Sequence, residues 1–231
     1  MHQIVIIAGG LGTRLGNLTK KIPKALIKIK NKPFIYYQLK QLSKQGFKRV
    51  LICDGYLGYK IRKYVGNGMK FNLNIQYSSE KKILLGTAGC IRKAFPLLEE
   101  NFFITYGDTY LPINYKNIEE SFKKKNGLAL IAIYKNKNKL DHSNVCFKGK
   151  NIFYKKNSKL KKMSYIDYGV SVFKKEVFSD PKLKKFTDLS DIFHSLSRAG
   201  KLKHLTVKKR FYEIGSLHGL EETKNHLKNI N

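Results

Sequence analysis

The run Ala8-Gly9-Gly10-Leu11-Gly12-Thr13-Arg14-Leu15 directly follows an apolar segment, Ile4 to Ala8, and has the residue types needed to hold a phosphate chain. Glycines let the backbone approach phosphate oxygens and turn N–H groups toward them, and Arg14 adds a permanently charged fork. Pro23-Lys24 supplies a second cation beside a rigid turn. Two familiar phosphate loops fail the test. The pattern GxxxxGK[ST] is absent, and GxGxxG is met by Gly10 and Gly12 but finds Leu15 at its third glycine. The acidic residue that a dinucleotide fold places about 20 residues further on arrives only at Asp54, behind a long basic insertion. A glycine turn by itself is more often structural than functional, so its meaning depends on what positions it and what accompanies it.

The elements around it alternate. The apolar runs Ile4–Ala8, Arg49–Cys53 and Asn101–Tyr106, each followed by glycine or an acid, and the run near Leu73–Tyr77 read as strands. Between them lie helix-period stretches: Phe34, Tyr37, Leu39 and Leu42 up to Gly46, then Gly58–Tyr64, then Thr87–Leu98. Strands taking turns with helices predict an α/β fold, a Rossmann-like mixed but mostly parallel sheet flanked by helices. Ligands of such sheets sit beyond the carboxyl ends of the strands, where Gly9–Arg14 and Gly107-Asp108 both fall. The second half changes to short strand-like runs, Leu128–Tyr134, Val145–Phe147, Ile152–Tyr154 and Ile166–Phe173, which suit antiparallel or mixed additions. A helix over Asp188–Ala199 closed by Gly200, a strand Leu205–Val207 and a last helix from Ser216 with Leu220 on its apolar side complete the expectation. Residues 1–231 read as one domain, with a nucleotide-binding half over 1–125 and a sugar-phosphate half over 126–231.

At this point the chain resembles the sugar-phosphate nucleotidyltransferases, also called nucleoside-diphosphate-sugar pyrophosphorylases. The loop Gly9–Leu15 followed by Pro23-Lys24 is similar to that family's signature. Further matches come in the family's order: Lys32-Pro33, Gly55-Tyr56, Leu85-Gly86-Thr87-Ala88-Gly89, Gly107-Asp108 and Glu213-Ile214-Gly215. The resemblance implies the nucleotide-diphospho-sugar transferase fold and assigns roles. Ala8, Gly9, Gly10, Gly12, Thr13 and Arg14 would hold the triphosphate, with Glu80, Gly86 and Thr87 on its nucleoside side. Arg14, Lys24 and Asp108 would be catalytic, and Asp108 and Glu213 would bind Mg²⁺. Glu213 stands where the family commonly has aspartate, one methylene shorter. On the sugar-phosphate side the resemblance points to Lys156, Asp167 and Gly169, although the family's Glu-Lys-Pro trio is here Lys155-Lys156-Asn157.

The implied reaction transfers a nucleoside monophosphate from a triphosphate to a sugar 1-phosphate and releases pyrophosphate. Small members of the family point to GTP and heptose 1-phosphate for surface-polysaccharide precursors. UTP, CTP or dTTP, another sugar, or an alcohol phosphate or phosphocholine acceptor are the alternatives.

Composition narrows the partners. The net charge is +30, yet only six of 46 basic residues are arginine and the lysines are spread from end to end. Dispersed lysine marks solvated faces, whereas nucleic-acid recognition favours arginine at defined places. A nucleic-acid partner is therefore not expected, and the positive field instead draws anionic substrates toward a cleft. The apolar runs are too short for a membrane span, and the N-terminus lacks the pattern of a signal peptide, so a cytoplasmic protein without membrane association is expected, with a homo-oligomer left open. Cys53, Cys90 and Cys146 lack metal or disulfide spacing and read as small buried hydrophobes.

Overall fold

A computed structural model describes residues 2–81, 83–158, 160, 162–180 and 184–228. The chain runs β1 (Gln3–Ala8), β2 (Lys28–Ile29), β3 (Lys32–Pro33), α1 (Phe34–Lys44), β4 (Arg49–Asp54), α2 (Gly58–Val65) and β5 (Asn74–Ser79). It continues with α3 (Gly86–Lys93), β6 (Asn101–Tyr106), β7 (Thr109–Tyr110), α4 (Tyr115–Lys124), β8 (Ala129–Lys135), β9 (Val145–Lys148) and β10 (Asn151–Tyr154). It ends with β11 (Tyr165–Lys174), α5 (Leu189–Arg198), β12 (Leu202–Val207), β13 (Tyr212–Glu213) and α6 (Leu217–Leu227). Two compact units are formed, one from 1–84, 105–111 and 211–231, the other from 85–104 and 112–210.

In the first unit β1 pairs in parallel with β4, and β4 with β5. Ile4, Val5 and Ile6 and the facing Val50, Leu51 and Ile52 are all buried, because a parallel strand covered on both faces has no polar side to offer water. The short β7 and β13 pair antiparallel through Tyr110↔Tyr212 and Thr109↔Glu213. That pairing brings the chain's last segment back to the residue after Asp108. Beneath it, Ile29, Phe34, Tyr110, Ile214, Leu220 and Leu227 form a buried cluster that fastens α6. Fully burying a leucine or phenylalanine side chain stabilises by about 1.5–3 kcal/mol, so this cluster is what fixes Glu213 in place.

The second unit is mixed. β11 runs antiparallel to β8, β9 antiparallel to β10, and β12 parallel to β8. Phe173 packs on Phe178 and Phe193 at its centre. The register of β11 slips between Asp167 and Ser171, where Gly169 adopts φ 95°. This is a bulge whose left-handed residue costs glycine little.

Two expectations need correction. The helix expected over Thr87–Leu98 ends at Lys93, and a 3₁₀ turn over Phe95–Leu97 replaces its end. Pro96 lacks the N–H that a fourth turn would require. Helix α4 was not expected at all, yet Tyr115, Ile118 and Phe122 are buried along one face and the Asn114 side chain caps it by accepting from Lys116 N–H at 2.9 Å. The three cysteines are buried and free. Among the described residues, no helix is long and apolar enough to cross a membrane.

Candidate active site

The glycine loop leaves β1 with its backbone pressed against neighbours. A side chain on Gly9 would lie 3.1 Å from Glu80 Oε2 and 3.2 Å from Gly55 N. Gly9 carbonyl accepts from Tyr56 N–H at 3.2 Å, and Gly107 N–H donates to Ile7 carbonyl at 2.8 Å. Ala8 lies so close to Gly107 that a Cβ there would be 2.8 Å from Ala8 Cβ. Gly10 faces open space, where a ligand can approach its backbone. Gly12 turns the loop with φ 70°, held by Thr19 Oγ1 donating to its carbonyl at 3.0 Å, and Thr13 starts the 3₁₀ segment that carries Arg14.

The charged groups converge. Lys24 Nζ bonds Asp108 Oδ2 at 2.9 Å, with both side chains largely covered. A Cβ on Gly215 would be 2.6 Å from Glu213 Oε2, 2.9 Å from Arg14 Nη2 and 3.3 Å from Asp108 Oδ2. The two carboxylates therefore lie within about 6 Å of each other, flanked by the guanidinium and the ammonium. Ala8, Gly9, Gly10, Gly12, Thr13, Arg14, Lys24, Glu80, Asp108 and Glu213 all belong to the first unit.

Two carboxylates with open space before the glycine loop suit a hard divalent cation that takes the rest of its ligands from water and phosphate. Among the described residues no cluster of three or more His, Cys, Asp or Glu side chains forms an all-protein cage. The donor set fits a divalent cation whose coordination is completed by water and phosphate.

Beside the loop, a cavity of 480 Å³ is lined by Leu11, Gly55, Tyr56, Tyr59, Arg62, Glu80 and Leu84, among others. Sequence reasoning found Glu80 there but missed Arg62. Its Nη1 donates to both oxygens of the fully buried Asp54, at 2.8 and 2.7 Å, and to Ser79 Oγ at 2.7 Å.

The second unit gathers Gly86, Thr87 and Lys156 around one carboxylate, Asp188, that sequence reasoning took only as a helix start. Asp188 Oδ1 accepts from Thr87 N–H and Thr87 Oγ1, both at 3.2 Å, and its Oδ2 lies 3.8 Å from Lys156 Nζ. Thr87 Oγ1 in turn accepts from Leu189 N–H at 2.8 Å, and a Cβ on Gly86 would strike Thr187 carbonyl at 2.7 Å. Asp167 sits apart on the bulge, where Gly169 N–H donates to its Oδ1 at 2.9 Å. Burial pushes the Asp167 carboxyl up to about 6, against the opposing pull of that N–H.

A carboxyl whose pKa is higher folded than unfolded holds its proton longer in the native state, so it lowers stability as pH rises from about 4 to about 6. Asp167→Asn is therefore expected to be more stable than the parent at pH 7, by up to about 2 kcal/mol, and to match it at pH 3.5. Urea denaturation at the two pH values checks this, and an equal difference at both would refute it.

The parallel α/β unit carries a glycine loop, two cations and two carboxylates beyond its strand ends, residue types that suit an anionic ligand and a divalent cation. The chain belongs to the nucleotidyl transferase family, whose model matches residues 3–229. It is 39% identical over 132 residues to the D-glycero-alpha-D-manno-heptose 1-phosphate guanylyltransferase of Aneurinibacillus thermoaerophilus, covering 55% of this chain and 56% of that enzyme. It is 27% identical over 215 residues to the Campylobacter jejuni enzyme of the same name, covering 92% and 94%. The crystal structure of HddC from Yersinia pseudotuberculosis superposes with a TM-score of 0.80 at 24% identity, over 98% of this chain and 100% of that one. The expected nucleotide-diphospho-sugar transferase fold is thus the observed one.

Proposed function

We propose that the protein transfers guanylyl from GTP to a heptose 1-phosphate, releasing pyrophosphate and giving a nucleotide-activated sugar for surface polysaccharide. The observation that carries this reading is the convergence of Arg14, Lys24, Asp108 and Glu213 beside the glycine loop.

Both reactants are anions, so the site must offset their repulsion and the charge that builds on the leaving pyrophosphate. The N–H groups of Gly10 to Thr13 and the Arg14 fork bind the triphosphate and fix its α-phosphorus for in-line attack by the sugar phosphate oxygen. Lys24, held by Asp108, points its ammonium at the same place and shares its charge with the phosphates when they arrive. Asp108 and Glu213 would hold Mg²⁺, which when bound supplies Lewis-acid neutralisation of phosphate charge. Lys156, Asp167 and Gly169 serve the sugar phosphate. No covalent nucleophile is needed, since alignment and charge stabilisation suffice.

Glu80 supports guanine. A carboxylate offers paired acceptors, and guanine presents the adjacent N1–H and N2–H donors that match them. Uracil and thymine present one N–H between two carbonyls that the carboxylate repels. Glu80 lines the 480 Å³ cavity with Leu11 and Tyr56, which supports a reading in which its carboxylate meets such an edge between apolar walls.

The test incubates the enzyme with Mg²⁺, each of the four triphosphates and a panel of sugar 1-phosphates, and measures pyrophosphate. GTP is expected to exceed UTP. Glu80→Gln is expected to cut kcat/KM for GTP by about 30-fold, the worth of a lost charged hydrogen-bond pair, and to leave UTP little changed. A folded enzyme silent across the panel sinks the reaction; a wild type that prefers another triphosphate sinks the guanine assignment, and an unchanged GTP preference in Glu80→Gln sinks Glu80's part in it.

A further inference from the structure

Glycine is unfavourable inside a helix relative to alanine, yet α6 carries Gly219 in its first turn. The space above it is taken. A Cβ on Gly219 would stand 1.8 Å from Glu213 Oε1 and 2.5 Å from Glu213 Cδ, with Glu213 carbonyl at 2.8 Å. The glutamate folds back over the start of α6. Gly215 N–H donates to its Oε2, and Ser216 Oγ donates to its Oε1 at 2.6 Å while accepting from Gly219 N–H at 3.0 Å.

We infer that Ser216 and Gly219 are positioning residues that fit a glutamate into this site, Gly219 by leaving room for its carboxylate and Ser216 by clamping Oε1. The extra methylene would otherwise carry the carboxylate past the position that faces Asp108 and Arg14. Bent back and held at both oxygens, it presents Oε2 beside Arg14 Nη2 and Asp108 Oδ2 instead. Ser216 joins two tasks, since the hydroxyl that caps α6 is the one that orients Glu213. The N-terminal end of the α6 dipole adds a favourable field for the anion. An aspartate would place its carboxyl carbon roughly where Glu213 has Cγ and its oxygens near the Glu213 Cδ position, short of the point where Oε1 meets Ser216 and fills the Gly219 gap. Residue length at 213 and the absence of a side chain at 219 are therefore coupled.

The functional part of this inference rests on Glu213 serving the cation and phosphate site proposed above, whereas the packing part does not. The packing part is read from the thermal midpoints of the metal-free wild type, G219A, E213D and the double variant. Gly219→Ala is expected to lower Tm by about 6 °C or more in the wild-type background. In the E213D background the loss should fall to less than half, the residue being the contact with the main-chain carbonyl that both backgrounds keep. Equal losses in the two backgrounds overturn the coupling.

The functional part is read from a Mg²⁺ titration of pyrophosphate release. Ser216→Ala is expected to raise the half-saturating Mg²⁺ concentration by about tenfold, as loss of a ligand-orienting hydrogen bond does elsewhere, with a smaller change in kcat at saturating Mg²⁺. Ser216→Thr keeps the hydroxyl and should restore it. An unshifted titration in S216A, or a Ser216→Thr variant as impaired as S216A, overturns the orienting role. A wild type that releases no pyrophosphate from any substrate pair would instead refute the parent reaction, and the thermal cycle would still decide the packing.

Discussion

Asp108→Ala is expected to lower kcat/KM for pyrophosphate release by at least about 10³-fold while moving Tm by only a few degrees. The loss corresponds to about 4 kcal/mol of transition-state stabilisation, the upper end of what removing one preorganised electrostatic group costs. Two effects combine to reach it. The carboxylate is one of the two that would hold the divalent cation, and it is also the anchor of Lys24, bonded at 2.9 Å. Without it the ammonium loses its fixed direction just where phosphate charge must be met. Stability depends on it far less, because an ion pair with partial access to water contributes only about 1 kcal/mol. Asp108→Asn preserves the shape and still removes the charge, so it should be nearly as inactive as the alanine variant. Steady-state kinetics at saturating Mg²⁺, beside circular dichroism of each variant, make the measurement. A folded Asp108→Ala enzyme retaining a tenth of its activity would remove Asp108 from the chemistry.

The parts of this site that were legible in the sequence are those where backbone demands fix residue type. Gly9 stands where chain passes close to chain and Gly12 where it turns left-handed, and Gly107-Asp108 ends an apolar run that forms a buried strand. Hydrophobic periodicity located β1, β4, β5 and α5 within a few residues for the same reason, since burial leaves a regular trace. What stayed hidden was decided by partners distant in sequence. Asp188 collects Thr87 and Lys156 from 101 and 32 residues away, and nothing near it announces either. Helix α4 was missed although Tyr115, Ile118 and Phe122 stand at i, i+3 and i+7 behind the capping Asn114, a helical pattern carried by only three large apolar residues. The glycine at 219 has its cause in the folded-back Glu213, six residues earlier, which no local pattern announces. Asp54 had been weighed only as an acid at the wrong spacing for a dinucleotide fold. Its meaning lies eight residues on, in Arg62.

Arg62→Met is expected to produce the largest loss of stability among single changes near the nucleotide cavity, about 3–5 kcal/mol, the cost of leaving a buried ion without its partner. Asp54 has no exposed surface and receives Arg62 Nη1 on both oxygens, at 2.8 and 2.7 Å. Water cannot replace the guanidinium easily, because the neighbouring backbone is packed against the carboxylate. A Cβ on Gly58 would already lie 2.4 Å from Asp54 Oδ1. Methionine keeps much of the arginine stem's volume, so the loss measures charge rather than a cavity. The consequence reaches the loop, since Asp54 carbonyl accepts from Glu80 N–H at 2.8 Å and the adjoining Gly55 backs Gly9. A loosened Asp54 should therefore also raise KM for the triphosphate. Asp54→Asn in the Arg62→Met background removes the orphaned charge and should recover at least half of the lost stability, which distinguishes an electrostatic cause from lost packing. Urea denaturation of the two variants and the parent decides it. An Arg62→Met protein as stable as the parent, or one that Asp54→Asn fails to rescue, would mean that Asp54 tolerates its burial by some means other than Arg62.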